Sequence, residues 1–215
     1  MAALDPGQID LFRWADQLPA ALWQDLRRRD PDQAAAACGA QREKDTFLIP
    51  LLGRMYRVDP AGAQVQELQR PEHRVSYQAG MILVTALAQA QDIPPSGRMV
   101  TPQELPGGRF FYAGPHELPL EPIARHFGTR PRLLLERARL LGGGAWDGVE
   151  GMDAAVMVPG LPRVPLYVLL WARDQEFEAR AVLGVDERAH YHLALDALWA
   201  LCNILARRLC EEDHA

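Results

Sequence analysis

Two short runs near the C-terminal end of the chain, Asp174-Gln175-Glu176-Phe177-Glu178 and His190-Tyr191-His192, combine side chains that bind metals or move protons. The acidic run directly follows a long apolar stretch. A loop held at the end of a rigid strand suits carboxylates used for metal binding or acid–base work. The same residues also suit a plain acidic turn, with Asp174 accepting backbone N–H bonds. His190 and His192 lie two apart. In extended backbone both imidazoles point to one face, the spacing of many metal sites, whereas in a helix they diverge by about 200°. Asp186 and Glu187 stand close enough in sequence to add ligands. A metal centre built here draws on His190, His192, Asp174 and Glu176, with Arg163 and Arg173 as clamps for an anionic substrate. It requires these side chains to converge within about 5 Å around a concave pocket.

Other groups carry less. Gly142-Gly143-Gly144 follows a helical pattern and precedes Ala145-Trp146-Asp147-Gly148, whereas a phosphate cradle needs a strand before it and a helix after. Glycine after a helix more simply supplies the left-handed stop. Cys38, Cys202 and Cys210 form no CxxC pair. Cys202 and Cys210 fall in one helical stretch about 12 Å apart, beyond the roughly 7 Å a disulfide tolerates. There is no G-x-S-x-G elbow, no H-E-x-x-H, no EF-hand loop and no GxGxxG opening a helix.

The elements that must position these groups are read from periodicity. Val164-Pro165-Leu166-Tyr167-Val168-Leu169-Leu170-Trp171 is almost wholly apolar, as a central strand covered on both faces requires. Residues 154–158 and 181–185 read as its neighbours. Leu195, Leu198, Cys202, Leu205 and Leu209 are spaced three and four apart, a helical seam for core packing or a homodimer contact. Residues 46–59 read as a hairpin around Gly53, with Pro50 asking for an edge position. Helices are expected over 9–29 with a break at Pro19, over 32–37 stopped by Gly39, and over 74–90, 119–127 and 131–141. The Pro- and Gly-rich 92–119 stretch reads as a long ordered loop with one short strand at 109–112.

The 215 residues are 48% hydrophobic and 24% charged, which excludes disorder, collagen-like repeats and a disulfide scaffold. A chain of this length buries roughly 70% of its unfolded surface and needs no metal to hold a core. The net charge of −5 offers no basic excess for nucleic acid or acidic lipid. Of the 23 cationic residues all but Lys44 are arginine, a bias that reads as genome composition. Serine occurs only as Ser76 and Ser96. No apolar run approaches the roughly 20 residues of a membrane span, and Met1 to Asp10 lacks signal-peptide regions. With scattered cysteines, this predicts a cytoplasmic protein with reduced thiols.

Leu52-Gly53-Arg54-Met55-Tyr56-Arg57-Val58, then Glu104-Leu105-Pro106-Gly107-Gly108, then Leu161-Pro162-Arg163-Val164-Pro165 leading to Trp171 and Asp174-Gln175-Glu176-Phe177, follow one another in an order that resembles the domain-of-unknown-function 3786 family. The resemblance implies a family common in anaerobic bacteria and archaea, with no catalytic residues to carry over and a loose link to anaerobic redox or cofactor metabolism. Some members carry an added cysteine-rich iron–sulfur segment, and this chain has no such cluster. Where the family tends to have an aromatic before the Asp that follows the last strand, this chain has Gly184-Val185-Asp186. The 171–177 loop belongs to the shared pattern, with Trp171 and Phe177 as core anchors and the acids as turn formers.

The expectation is one α+β domain over 1–215, with an N-terminal helical segment at 1–29 and a family-like region at 30–209. A mainly antiparallel sheet of the 46–59, 154–171 and 181–185 strands is packed by the 74–90 and 193–209 helices. The functional expectation is a non-enzymatic cytoplasmic accessory or binding protein. The alternative is a metal-dependent or small-molecule-binding enzyme that uses the 174–176 loop and the 190–192 histidines. Expected partners are another protein or a second copy through the C-terminal helix, not nucleic acid or membrane. No motif indicates a cofactor.

Overall fold

The computed structural model describes residues 13–211. The expected 9–29 helix is there a single turn at Ala15–Gln17 and, after Pro19, helix α1 (Ala20–Arg28); residues 9–12 lie outside the described residues. Helix α2 (Pro31–Cys38) starts where Asp30 accepts the Gln33 N–H at 2.9 Å, with Pro31 at its first position. Gly39 ends it at φ 71, a left-handed conformation that costs most side chains energy. A β-carbon there would stand 2.7 Å from Pro162 Cβ.

Four antiparallel strands follow in sequence order: β1 (Gln41–Glu43), β2 (Thr46–Leu51), β3 (Arg54–Asp59) and β4 (Gln64–Glu67). The β2–β3 turn places Leu52 at φ 49 and Gly53 at φ 78, the two positive angles of the hairpin turn that matches strand twist. Leu52 accepts this strained angle because its side chain is buried. Pro50 pairs with Met55 on one side only, beyond the end of β1, so no neighbouring strand needs its missing N–H.

Helix α3 (Tyr77–Gln89) begins where Ser76 accepts the Ala79 N–H and is buried along most of its length. The second sheet is also antiparallel. It comprises β5 (Met99–Val100), β6 (Gly144–Ala145), β7 (Ala154–Leu161), β8 (Val164–Trp171) and β9 (Arg180–Asp186), in the order β5-β9-β8-β7-β6. β8 is central, as its unbroken apolar run requires. The remaining helices are α4 (Gly108–Phe111), α5 (Leu120–Phe127), α6 (Pro131–Leu140) and α7 (Leu195–Cys210).

The architecture is α+β, as the patterns indicate, with two corrections. The 46–59 hairpin does not join the 154–186 strands but forms its own sheet, and the two sheets meet where the Leu52 N–H reaches the Gly160 carbonyl at 2.9 Å. The expected strand at 109–112 is helix α4, and the strand of that loop is β5. Around α4 the backbone satisfies itself locally, Gly108 N–H on Leu105 O and Tyr112 N–H on Gly108 O. Helix α7 lies against α3, α5 and α6. Its apolar seam is internal at Leu198, Cys202, Leu205 and Leu209 and partly buried at Leu195, and among the described residues no exposed large apolar side chain lies on α7.

Candidate functional site

Strand β9 separates the two groups singled out in the sequence. The acidic loop enters it at Arg180 and the histidines follow its end at Asp186, so seven residues of strand stand between them. At about 3.3 Å per residue this is a gap of roughly 20 Å. Asp174 and Glu176 therefore do not share a site with His190 and His192. Among the described residues no group of three or more His, Cys, Asp or Glu side chains is placed to hold a metal ion. Arg163 and Arg173 likewise stand at opposite ends of β8. Arg163 faces Asp92 at 3.4 Å and Arg173 faces Glu178 at 3.6 Å.

Each residue has a local occupation. Asp174 Oδ1 accepts the N–H groups of Phe177 at 2.7 Å and Glu176 at 2.8 Å, and these bonds, Phe177's first, hold its carboxyl below the usual range. That is the acidic turn. Phe177 is no core anchor, being 69% exposed, while Trp171 is half-buried under the Arg180 guanidinium, with Nε1 donating to the Gly151 carbonyl at 2.7 Å. His190 Nδ1 lies 3.0 Å from the Glu187 carbonyl. His192 is buried, with the Ile93 backbone beside its ring. Burial and the nearby Arg163 push its pKa down, against smaller upward effects of the Ile93 backbone and Asp186. The two imidazoles sit in a tight helical turn, so they do not share a face.

The glycine triplet is a helix-to-strand connection: Gly142 leaves α6, Gly143 lies against β7 and Gly144 opens β6. Cys38 and Cys202 are buried, and desolvation raises their thiols to about 11 and about 12, so both are protonated at neutral pH.

A different cluster emerges where β3, β4, the 70–76 segment and the last turns of α7 meet. Arg54, Arg70, Arg74, Arg207 and Arg208 line a hollow of about 280 Å³ together with Glu67 and Glu211. Five guanidinium groups against two carboxylates give it a formal charge of +3 with His73 neutral. Its floor is a fixed network. Arg208 Nη1 donates to the Leu51 and Leu52 carbonyls, each at 2.8 Å, and Nη2 donates to the Tyr56 hydroxyl at 2.9 Å. The Tyr56 hydroxyl donates to Glu67 Oε2 at 3.3 Å, and burial raises its pKa. Glu67, buried, also accepts from Arg70 Nε at 3.1 Å and Arg54 Nη1 at 3.4 Å. Arg70 and Arg54 thus each use one of five N–H groups on Glu67. Arg207 donates to Gln78 Oε1 at 2.7 Å, and Arg74 pairs with Asp16 at 2.6 Å. Other hollows, of about 350 to 460 Å³, are larger, but none has a comparable excess of positive charge.

No motif marked this cluster. Its arginines come from a strand, a loop and a helix end, and in a chain with 23 cationic residues each looks ordinary. Arg207-Arg208 in particular reads as the usual cationic end of a helix. The one local signal is Tyr56, a phenol on a buried strand position, which needs a polar partner.

No curated protein and no solved structure matches the chain. The family model described as Domain of unknown function (DUF3786) matches residues 30–208, a span that holds the five arginines, Tyr56 and Glu67. With most of its length matched, the chain belongs to the DUF3786 family.

Proposed function

We propose that the protein is a non-enzymatic accessory or binding protein that takes up a small anionic ligand in the arginine hollow. The observation that supports this reading is a reversal of sign: a concavity of formal charge +3 on a chain of net charge −5. A cleft with a net excess of one sign of charge focuses its field on the opposite one. Guanidinium forks match the paired oxygens of phosphate and carboxylate groups. The Arg208–Tyr56–Glu67 network fixes the floor before a ligand arrives, which lowers the ordering cost of binding. A space of about 280 Å³ holds a small anionic group, not a macromolecule, and the overall negative charge disfavours nucleic acid. Residence in the cytoplasm and a loose association with anaerobic redox or cofactor metabolism, both expected from the sequence and the family resemblance, complete the proposal.

The test is calorimetric titration of the full chain with inorganic phosphate and with citrate, at low and at high ionic strength. The expected result is saturable one-to-one binding that weakens with salt and is lost in the Arg54→Gln/Arg70→Gln double variant. No saturable binding of either anion overturns the reading.

A further inference from the structure

The arginine hollow is not isolated. His73, Arg74 and Val75 line it on one side and, on the other, line a neighbouring hollow of about 400 Å³. The second hollow is chemically different. Its walls include Trp14, Ala63, Val65 and Pro71, with Thr46, Gln64 and Gln66 as neutral hydrogen-bonding groups. Its charges nearly cancel, Arg57 and Arg74 against Asp16, Asp59 and Glu72, for a formal −1 with His73 neutral. Several of these are already paired: Arg57 with Glu43 at 3.2 Å and Arg74 with Asp16 at 2.6 Å, while Asp59 Oδ1 accepts the Ala61 and Gly62 N–H groups, each at 3.0 Å. Arg74 stands at the partition between the hollows, its guanidinium 4.6 Å from the centre of the Trp14 ring.

From this juxtaposition we infer that the ligand is a phosphate monoester of two parts: the phosphate sits among the arginines, and a neutral hydrogen-bonding body, such as a sugar or nucleoside, lies in the Trp14 hollow. This rests on the anion-binding reading of the arginine hollow and extends it. A second anionic group is disfavoured in the Trp14 hollow, whose excess charge is negative, so the anionic charge belongs at one end of the ligand. The hollow of about 280 Å³ alone falls just below the usual range for ligand sites, and the neighbour brings the combined space well within it. Trp14 gives the body of the ligand an apolar wall, and Gln66 and Thr46 supply hydrogen bonds that inorganic phosphate cannot use.

The experiment is titration of the full chain with inorganic phosphate, ribose 5-phosphate and adenosine 5′-monophosphate under one set of conditions, repeated on the Trp14→Leu and Gln66→Ala variants. The expected result is at least about a tenfold tighter dissociation constant for one ester than for phosphate, ~1.4 kcal/mol. That advantage shrinks in both variants, and phosphate binding stays unchanged in Gln66→Ala, whose side chain lies outside the arginine hollow. If neither ester binds more tightly than phosphate, or if Gln66→Ala weakens ester and phosphate equally, the two-part inference is overturned and the anion reading stands. If phosphate and both esters all fail to bind, the anion reading falls with it.

Discussion

Arg208 on α7 donates a 2.9 Å hydrogen bond to the Tyr56 hydroxyl on β3, tying the last helix to the first sheet through a part-buried pair that also fixes the arginine hollow. Tyr56→Phe keeps the ring and removes this link, leaving Arg208 Nη2 and Glu67 each short of a partner. The expected cost is about 1–3 kcal/mol, read as a lower urea midpoint at unchanged slope. A midpoint equal to that of the unmodified protein would show that the link contributes nothing.

Glu67 neutralises part of the hollow, so its substitution separates stability from binding. Glu67→Gln raises the formal charge of the hollow from +3 to +4. Phosphate is expected to bind up to roughly tenfold more tightly at low salt, while the unfolding midpoint falls because Arg54 and Arg70 lose their carboxylate. Tighter binding on a less stable fold is an outcome that general damage to the protein does not produce.

Asp186 is completely buried and accepts four donors: the Ser96 N–H and hydroxyl, the Gly97 N–H and the Arg188 N–H. It pins the 94–98 loop to the end of β9. Asp186→Ala strands three backbone N–H groups, and the expected loss is about 3 kcal/mol or more. Asp186→Asn, with one oxygen retained, costs visibly less. Equal losses for the two variants would contradict this role.

His192 makes the fold acid-sensitive. Its folded pKa is lowered by burial from the ordinary 6.5, so the unfolded chain takes up a proton first as pH falls. The stability it permits is fully present above about pH 6.5 and is lost progressively as pH drops from there towards the folded pKa. His192→Leu, which keeps the site filled and removes the titrating group, is expected to fold at pH 7 and to show a smaller drop in unfolding midpoint between pH 7 and pH 5. An unchanged drop would assign the acid sensitivity elsewhere.

The separation of acids and histidines along β9 predicts how metals behave. Zinc titrations of the unmodified chain and of the Asp174→Asn/Glu176→Gln double variant are expected to coincide, since the roughly 20 Å gap keeps those carboxylates from any ion at His190. A tenfold or larger loss of zinc affinity in the double variant would restore the single-site arrangement.

The sequence by itself determined what depends on neighbours along the chain. The apolar period of 195–209 produced α7, the unbroken run 164–171 produced the central strand, Gly39 stopped α2, and Asp174 formed its turn from N–H groups two and three residues away. These are local satisfactions of backbone and side-chain periodicity, which travel with the residues themselves. The 109–112 strand failed for the matching reason: Arg109-Phe110-Phe111-Tyr112 has strand-forming residue types but no partner edge, so short-range bonds closed it into a helix.

Only the tertiary structure decided which distant groups meet. Sequence spacing suggested that Asp174, Glu176, His190 and His192 were neighbours, and the extended β9 carried them apart, because a strand converts seven residues into most of a small domain's width. Conversely, Arg54, Arg70 and Arg208 carry no mutual signal, yet antiparallel pairing of β3 with β4 and the docking of α7 bring them onto one carboxylate and one phenol. The split into two sheets was equally hidden, since the pairing edge of the 46–59 hairpin is set by β1 and β4, whose short polar runs look like loop. Local chemistry fixes the elements; the long-range packing of their buried faces fixes which charges share a hollow, and that is where a ligand is recognised.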